Sequence, residues 1–246
     1  MQSRRTRLTA TTAGAVIGLF LASGCAPAQD QKSATEAPPA TEVPSAAPSA
    51  KAPVAPLTVA QLKSLALKIG EVPQARERLN AREPLPEGSG RSFPPVSVPA
   101  CQTLIGVRSG EASFARVFQH FNWKKNIMGG GSTLASYEDG QAERRFAELK
   151  RSLATCRQYE GEGFVGPYSA TVTTEAPPEF GEEAVSFRET IPMGPENGGD
   201  RNEQFVVVRT GNTIATFTEL SIDKDLFFPP ELITRQVERL RNAQRS

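Results

Sequence analysis

Between residues 26 and 56 the chain holds ten Ala, seven Pro, three Ser and two Thr, and no aromatic residue. Such a stretch buries too little apolar area to offset the entropy of ordering it. Any packed core must therefore come from residues 57–246, where every aromatic residue except Phe20 lies. Those residues are numerous enough for one domain with a full core. The segment before them, 25–56, reads as a disordered tether that begins at Cys25. Its reach is roughly 30 Å as a flexible coil and roughly 95 Å as extended polyproline II.

Residues 1–24 follow another pattern. Arg4, Arg5 and Arg7 precede an apolar or small run from Leu8 to Ala22, and none of these 24 residues is acidic. A run of about 15 residues falls short of the about 20 that a spanning helix needs, so it reads as a cleaved export signal. Ala22, Ser23 and Gly24 then lead into Cys25. The stretch GLFLASGC resembles a bacterial lipobox, with Ala22 where leucine is usual. That resemblance implies a diacylglyceryl group, with fatty chains such as palmitate, on the Cys25 sulfur and cleavage just before it. One acyl chain holds a protein to a membrane only marginally, whereas two suffice. The alternative is an ordinary secretory signal whose cleavage region contains Cys25. Arg4-Arg5 also suits a twin-arginine signal, although Arg7 stands where a hydrophobic residue belongs.

The chain has three cysteines, Cys25, Cys101 and Cys156. An odd count in an exported protein leaves one thiol over. Acylation of Cys25 removes the excess, and Cys101 and Cys156 are then expected to pair in the oxidising exterior. In the chain-entropy model a loop of that length contributes about 4 kcal/mol. Without the leader arginines the chain carries 25 basic and 27 acidic residues. No basic excess or stripe is present, which argues against nucleic acid as a partner.

Periodicity predicts a mixed domain. In LTVAQLKSLALKIGEVP, Thr58 is a candidate N-cap, and Val59, Leu62, Leu65, Ala66 and Ile69 form a helical stripe ended by Gly70 and Pro73. A short helix is predicted over Cys101–Gly106. ASFARVFQHF alternates as a strand, and STLASYE is a second strand after a mobile Gly129-Gly130-Gly131 turn. In GQAERRFAELKRSLATC, Ala142, Phe146, Leu149, Leu153 and Cys156 fall on one face of a helix. Strands follow in SATVTTE, AVSFRET and QFVVVRTGNTIATFTEL, the last folded back at Gly211-Asn212. PPELITRQVERLRNAQ closes the domain as a helix, with Leu232, Val237 and Leu240 inward and Arg239, Arg241 and Arg245 complementing its dipole. This order lacks strict βαβ alternation. It implies a single α+β domain, a mainly antiparallel sheet flanked by helices.

Taken in order, LTVAQLKSLALKIGEVP, PACQTLIG, YEDGQAERRFAELKRSLATC, GEEAVSFRE and FVVVRTGNTIATF resemble the PknH-like extracellular sensor domain family, over about residues 57–245. That family includes actinobacterial lipoproteins and the outer parts of receptor kinases. The resemblance implies an antiparallel α+β fold with a cleft and a ligand-sensing role. Family members often carry two disulfides, and only Cys101 and Cys156 match here. No kinase sequence is present, so any signal would pass through another protein.

The chemistry expected of the chain is correspondingly modest: no catalytic residues, no metal and no cofactor. His120 is the single histidine. It reads as a packing or surface residue, and no G-x-S-x-G elbow or P-loop accompanies it. Glu138-Asp139 and Glu182-Glu183 read as solvated turn acids. Arg116, Arg188 and Arg209 lie mid-strand in apolar segments. Such arginines are mostly solvated, but they can also grip an anionic head group from a concave sheet. Trp123 and Tyr137 would then supply an apolar wall. Two roles follow. One is a membrane-anchored extracytoplasmic module that binds an unknown small or cell-wall ligand. The other is an envelope accessory protein that acts through a protein partner. The lipid anchor on the outer face of the cell membrane is testable directly. Cys25→Ala is expected to move the protein from the membrane to the soluble fraction, and equal membrane retention would refute the anchor.

Overall fold

The computed structural model describes residues 54–76, 79–85, 93–225 and 227–245. The leader, Cys25 and the tether up to residue 53 lie outside the described residues. The predicted strand segments, together with one that the periodicity lacks, form seven strands: β1 (Ala115–Phe121), β2 (Gly130–Ser136), β3 (Gln158–Gly163), β4 (Gly166–Glu175), β5 (Glu183–Pro192), β6 (Asp200–Thr210) and β7 (Thr213–Ile222). Four helices accompany them: α1 (Val59–Leu65), α2 (Pro99–Arg108), α3 (Gln141–Thr155) and α4 (Pro230–Ala243). All strand pairs are antiparallel, in the order β1-β2-β7-β6-β5-β4-β3. The chain leaves β2 through α3 to the far edge, then returns strand by strand until β7 closes beside β2. The α+β expectation holds.

The sheet separates two cores because successive side chains alternate between its faces. On the back face Val206, Val208, Ala215 and Phe217 pack against Leu62 of α1 and Leu232, Ile233, Val237 and Leu240 of α4. On the front face Phe205, Val207, Ile214 and Phe187 pack against Leu104 and Val107 of α2 and Phe146, Leu149 and Leu153 of α3. Cys101 and Cys156 are joined in a disulfide, Cα atoms 5.0 Å apart, which ties the start of α2 to the end of α3. Both sheet edges are partly covered. Ala75 and Arg82 bridge onto the β1 side, and the Ser97 amide donates to Glu160 O of β3. Covered edges do not recruit other strands.

Thr58 caps α1 with Gln61 in a reciprocal capping box. The helix is shorter than its stripe predicts, and Ile69 is substantially exposed in the turn beyond it. Its last carbonyls are taken by α4: Gln236 Nε2 donates to Leu65 O, and Arg239 Nη1 donates to Leu65 O and Ala66 O. Arg239 also pairs with Glu71, so it braces α1 as well as ending α4. Gly129–Gly131 is not a mobile turn. Gly130 and Gly131 belong to β2, and a Cβ on Gly130 would lie 2.5 Å from Glu219 Oε2. One strand is absent from the periodicity. β3 reads QYEGEG, and Tyr159 is its one buried residue.

The hydrogen bond from Arg239 holds the Glu71 carboxyl below its ordinary value. That contribution is present above the ordinary carboxylate range and is lost as pH falls through the lowered value. Arg239→Met is expected to destabilise the fold by about 1–2 kcal/mol at neutral pH. Denaturant melts should show the gap to wild type narrowing below about pH 4.5. A gap independent of pH would contradict this role.

Candidate functional site

The front-face helices cover the sheet only in part. α2 ends at Arg108, which is the one residue of either front helix that lines a cleft of about 940 Å³ over the remaining sheet. Register builds the floor. Glu189 of β5 stands directly opposite Glu203 of β6, and Ile191 directly opposite Arg201. Two carboxylates facing each other across a strand pair are destabilising unless neutralised. Each has an arginine. Arg108 Nη1 lies 3.0 Å from Glu189 Oε2, and Arg201 Nη2 donates to Glu203 Oε2 over 3.0 Å. The Arg108 guanidinium also sits 4.0 Å above the Phe205 ring, a favourable cation–π placement.

The two pairs differ in burial. Side-chain exposure is 16% and 4% for Arg108 and Glu189, against 38% and 24% for Arg201 and Glu203. Burial pushes the Glu189 carboxyl above its ordinary value, the Arg108 charge opposes that, and Glu203 adds to it. The neighbouring Tyr159 hydroxyl is raised by burial and by the Glu189 charge. The cleft walls are apolar. Tyr159, Tyr168, Ile191 and Ile222 rise from the sheet, Met193 comes from the β5–β6 connection, and Met128 from the β1–β2 loop. The β3–β4 hairpin closes one side through a two-residue Phe164-Val165 tip between paired Gly163 and Gly166. Phe164 is 78% exposed and stands edge-on to Phe93, ring centroids 5.0 Å apart.

The residues first singled out do not converge. Arg116 and Arg209 lie on the front face, in the row Arg116–Ala135–Ile214–Arg209. Arg188 lies on the back face, in the row of Gln204 and Glu219. Each is already occupied. Arg116 donates to Ser109 O, Arg188 pairs with Glu175 and Asp225, and Arg209 pairs with Glu182 and Glu183. The last contacts also mean that Glu182 and Glu183 are ion-paired rather than merely solvated. Trp123 belongs to the back core, stacked on Phe121 with ring centroids 5.0 Å apart. Tyr137 is fully buried in the front core, its hydroxyl pushed up to about 12 by that burial. No common anion grip or shared apolar wall exists among the five. His120 is exposed on β1.

The groups that do meet, Arg108, Tyr159, Glu189, Arg201 and Glu203, were missed for two reasons. Arg108 lies just beyond the predicted short helix, and Tyr159 in the strand without alternation. Glu189 and Glu203 carried a usable signal. Glu189 is two residues from both Phe187 and Ile191, and Glu203 is two from Phe205, so each falls on the buried face of its strand.

A second buried carboxylate lies on the back face. Glu219 accepts from Trp123 Nε1 at 2.5 Å and from Asn126 Nδ2 at 2.7 Å. A 440 Å³ pocket that includes Lys124, Lys125 and Phe227 opens beside it. Burial raises the carboxyl to about 7, against the two hydrogen bonds, which lower it.

No protein-family model matches the chain, and no curated protein matches it. Solved structures resemble it, among them two from mycobacteria. The crystal structure of the extracellular domain of PknH from Mycobacterium tuberculosis aligns at TM-score 0.53 and 13% identity, over 78% of this chain and 98% of that one. The X-ray structure of a Rv0999 ortholog from Mycobacterium smegmatis aligns at TM-score 0.31 and 15% identity, over 75% of this chain and 92% of that one, too weakly to establish a shared fold. The first likeness shows a PknH-like fold.

Because Glu219 is raised in the folded state, its contribution favours folding at low pH and is lost as pH rises from about 4.5 to about 7. Glu219→Gln, which does not titrate, is expected to remove that slope in denaturant melts between about pH 5 and pH 8. Parallel stability–pH curves for the two proteins would contradict the raised value.

Proposed function

We propose that the chain is an extracytoplasmic domain, lipid-anchored at Cys25 on the outer face of the cell membrane, that binds a small ligand in the front-face cleft and performs no chemistry of its own. The observation that carries this reading is the cleft itself. Its volume of about 940 Å³ lies within the range of small-molecule sites, and its mostly apolar walls stand over a few convergent polar groups. The charged groups of the floor are held in ion pairs, an arrangement suited to recognition. Placement outside the cell is supported by the leader and lipobox pattern, by the disulfide and by the fold shared with an extracellular domain. Among the described residues no helix is long and apolar enough to cross a membrane.

One observation favours the accessory-protein reading instead. Phe164 and Val165 form a strongly exposed apolar tip, and exposed apolar groups mark contact surfaces. The same tip also borders the cleft, so the two readings separate by experiment. An apolar fluorescent probe such as N-phenyl-1-naphthylamine is expected to bind saturably to the purified protein. Phe164→Ser/Val165→Ser, which removes two apolar side chains from the cleft border, should weaken it by about tenfold or more. Absence of saturable binding would refute the ligand site.

A further inference from the structure

The turn from β1 into β2 is braced from within. Glu219 Oε2 accepts from Trp123 Nε1, and Glu219 Oε1 accepts from Asn126 Nδ2. Asn126 also donates to Leu220 O, and its Oδ1 accepts from the Met128 amide. The Leu220 amide in turn donates to Gly129 O. A turn held in this way is pre-organised, so little ordering entropy is lost when it meets a partner. What it presents outward is apolar and basic. Ile127 at the tip is 89% exposed, and Met128 and Phe227 are exposed as well. Because β2 and β7 are neighbours, Phe227 beyond β7 stands at the same corner and lines one pocket with Lys125 and Asn126. Lys124 and Lys125 are exposed beside the tip, and residues 122–131 include no acid. Arg76, whose Nη2 donates to Lys124 O, adds a third positive charge. Against these stands Glu231, which accepts from Gln74. Asp225 is paired with Arg188, and Asp223 lies against Gly199.

A convex tip of this kind buries too little area for a stable protein–protein interface. It suits a lipid surface, where apolar side chains enter the headgroup layer and lysines meet the phosphates. We propose that the β1–β2 turn docks on an anionic phospholipid surface, with Ile127 inserted, Met128 and Phe227 beside it, and Lys124 and Lys125 at the headgroups. The Phe164-Val165 tip leaves the opposite edge of the sheet beside Glu160 and Glu162, charges of the wrong sign for such a surface. On an acylated chain the turn gives the domain a second hold on the membrane and fixes which end of the sheet faces it.

The test is flotation of the unacylated mature chain, residues 25–246 with Cys25→Ala, with vesicles of phosphatidylcholine and of a phosphatidylcholine–phosphatidylglycerol mixture. Binding to the anionic vesicles is expected to be about tenfold tighter or more, and to weaken with added salt. Ile127→Ser should weaken it about tenfold. Lys125→Gln should weaken it about fivefold on anionic vesicles and leave neutral vesicles unaffected. Both side chains are exposed, so neither change disturbs the core. Phe164→Ser/Val165→Ser should bind as wild type does. Equal affinity for the two vesicle types, wild-type binding by Ile127→Ser, or a loss confined to Phe164→Ser/Val165→Ser would overturn the proposal. The protein tested carries no lipid, so that failure would leave the Cys25 anchor and the front-face cleft untouched.

Discussion

The disulfide between Cys101 and Cys156 sets where the sheet is covered. It fastens the first turn of α2 to the residue that ends α3, while the apolar stripe of α3 is seated on the front core. From Cys101, α2 runs seven residues to Arg108, about 10 Å along the helix axis. That distance carries the guanidinium over Phe205 and against Glu189, at the border between covered and open sheet. The covered portion is core, and the open portion becomes a cleft whose floor is charged and paired.

The two faces divide the work. On the back face α1 and α4 lock together through Arg239 and Gln236, and Phe121, Trp123, Phe217 and Phe228 pack as one aromatic cluster. The front face keeps only part of its sheet dry. The rest tolerates two facing glutamates because each has an arginine within reach. A surface held this way is expensive to desolvate without partners, which fits a site filled by a ligand better than a second helix-packing face.

Much of the scaffold was legible in the sequence. The α3 stripe, the Thr58 cap and the Gly211-Asn212 hairpin each rest on local patterns, a helical period, a cap or a turn pair, which depend little on distant residues, whereas the disulfide was legible only from the cysteine count. β3 was not legible, because QYEGEG has no alternation of its own and is a strand through pairing with β4 and Ser97. The end of α1 was not legible either, since α4 supplies its carbonyl partners from the other end of the chain. The site depends on register across β5 and β6 and on the reach of α2, both long-range facts. Strand arginines were a poor guide because nearby acids and carbonyls already satisfy them. Strand glutamates on the buried parity were the better one.

The uncovered part of the front sheet is proposed as the binding surface. Amide chemical-shift mapping of the isotope-labelled protein during titration with an apolar amphiphile tests it most directly. Perturbation confined to the β3–β4 hairpin, the end of β5 and the Arg201–Glu203 stretch of β6 is the predicted result. Shifts centred on α1 and α4, or scattered over no continuous surface, would contradict it.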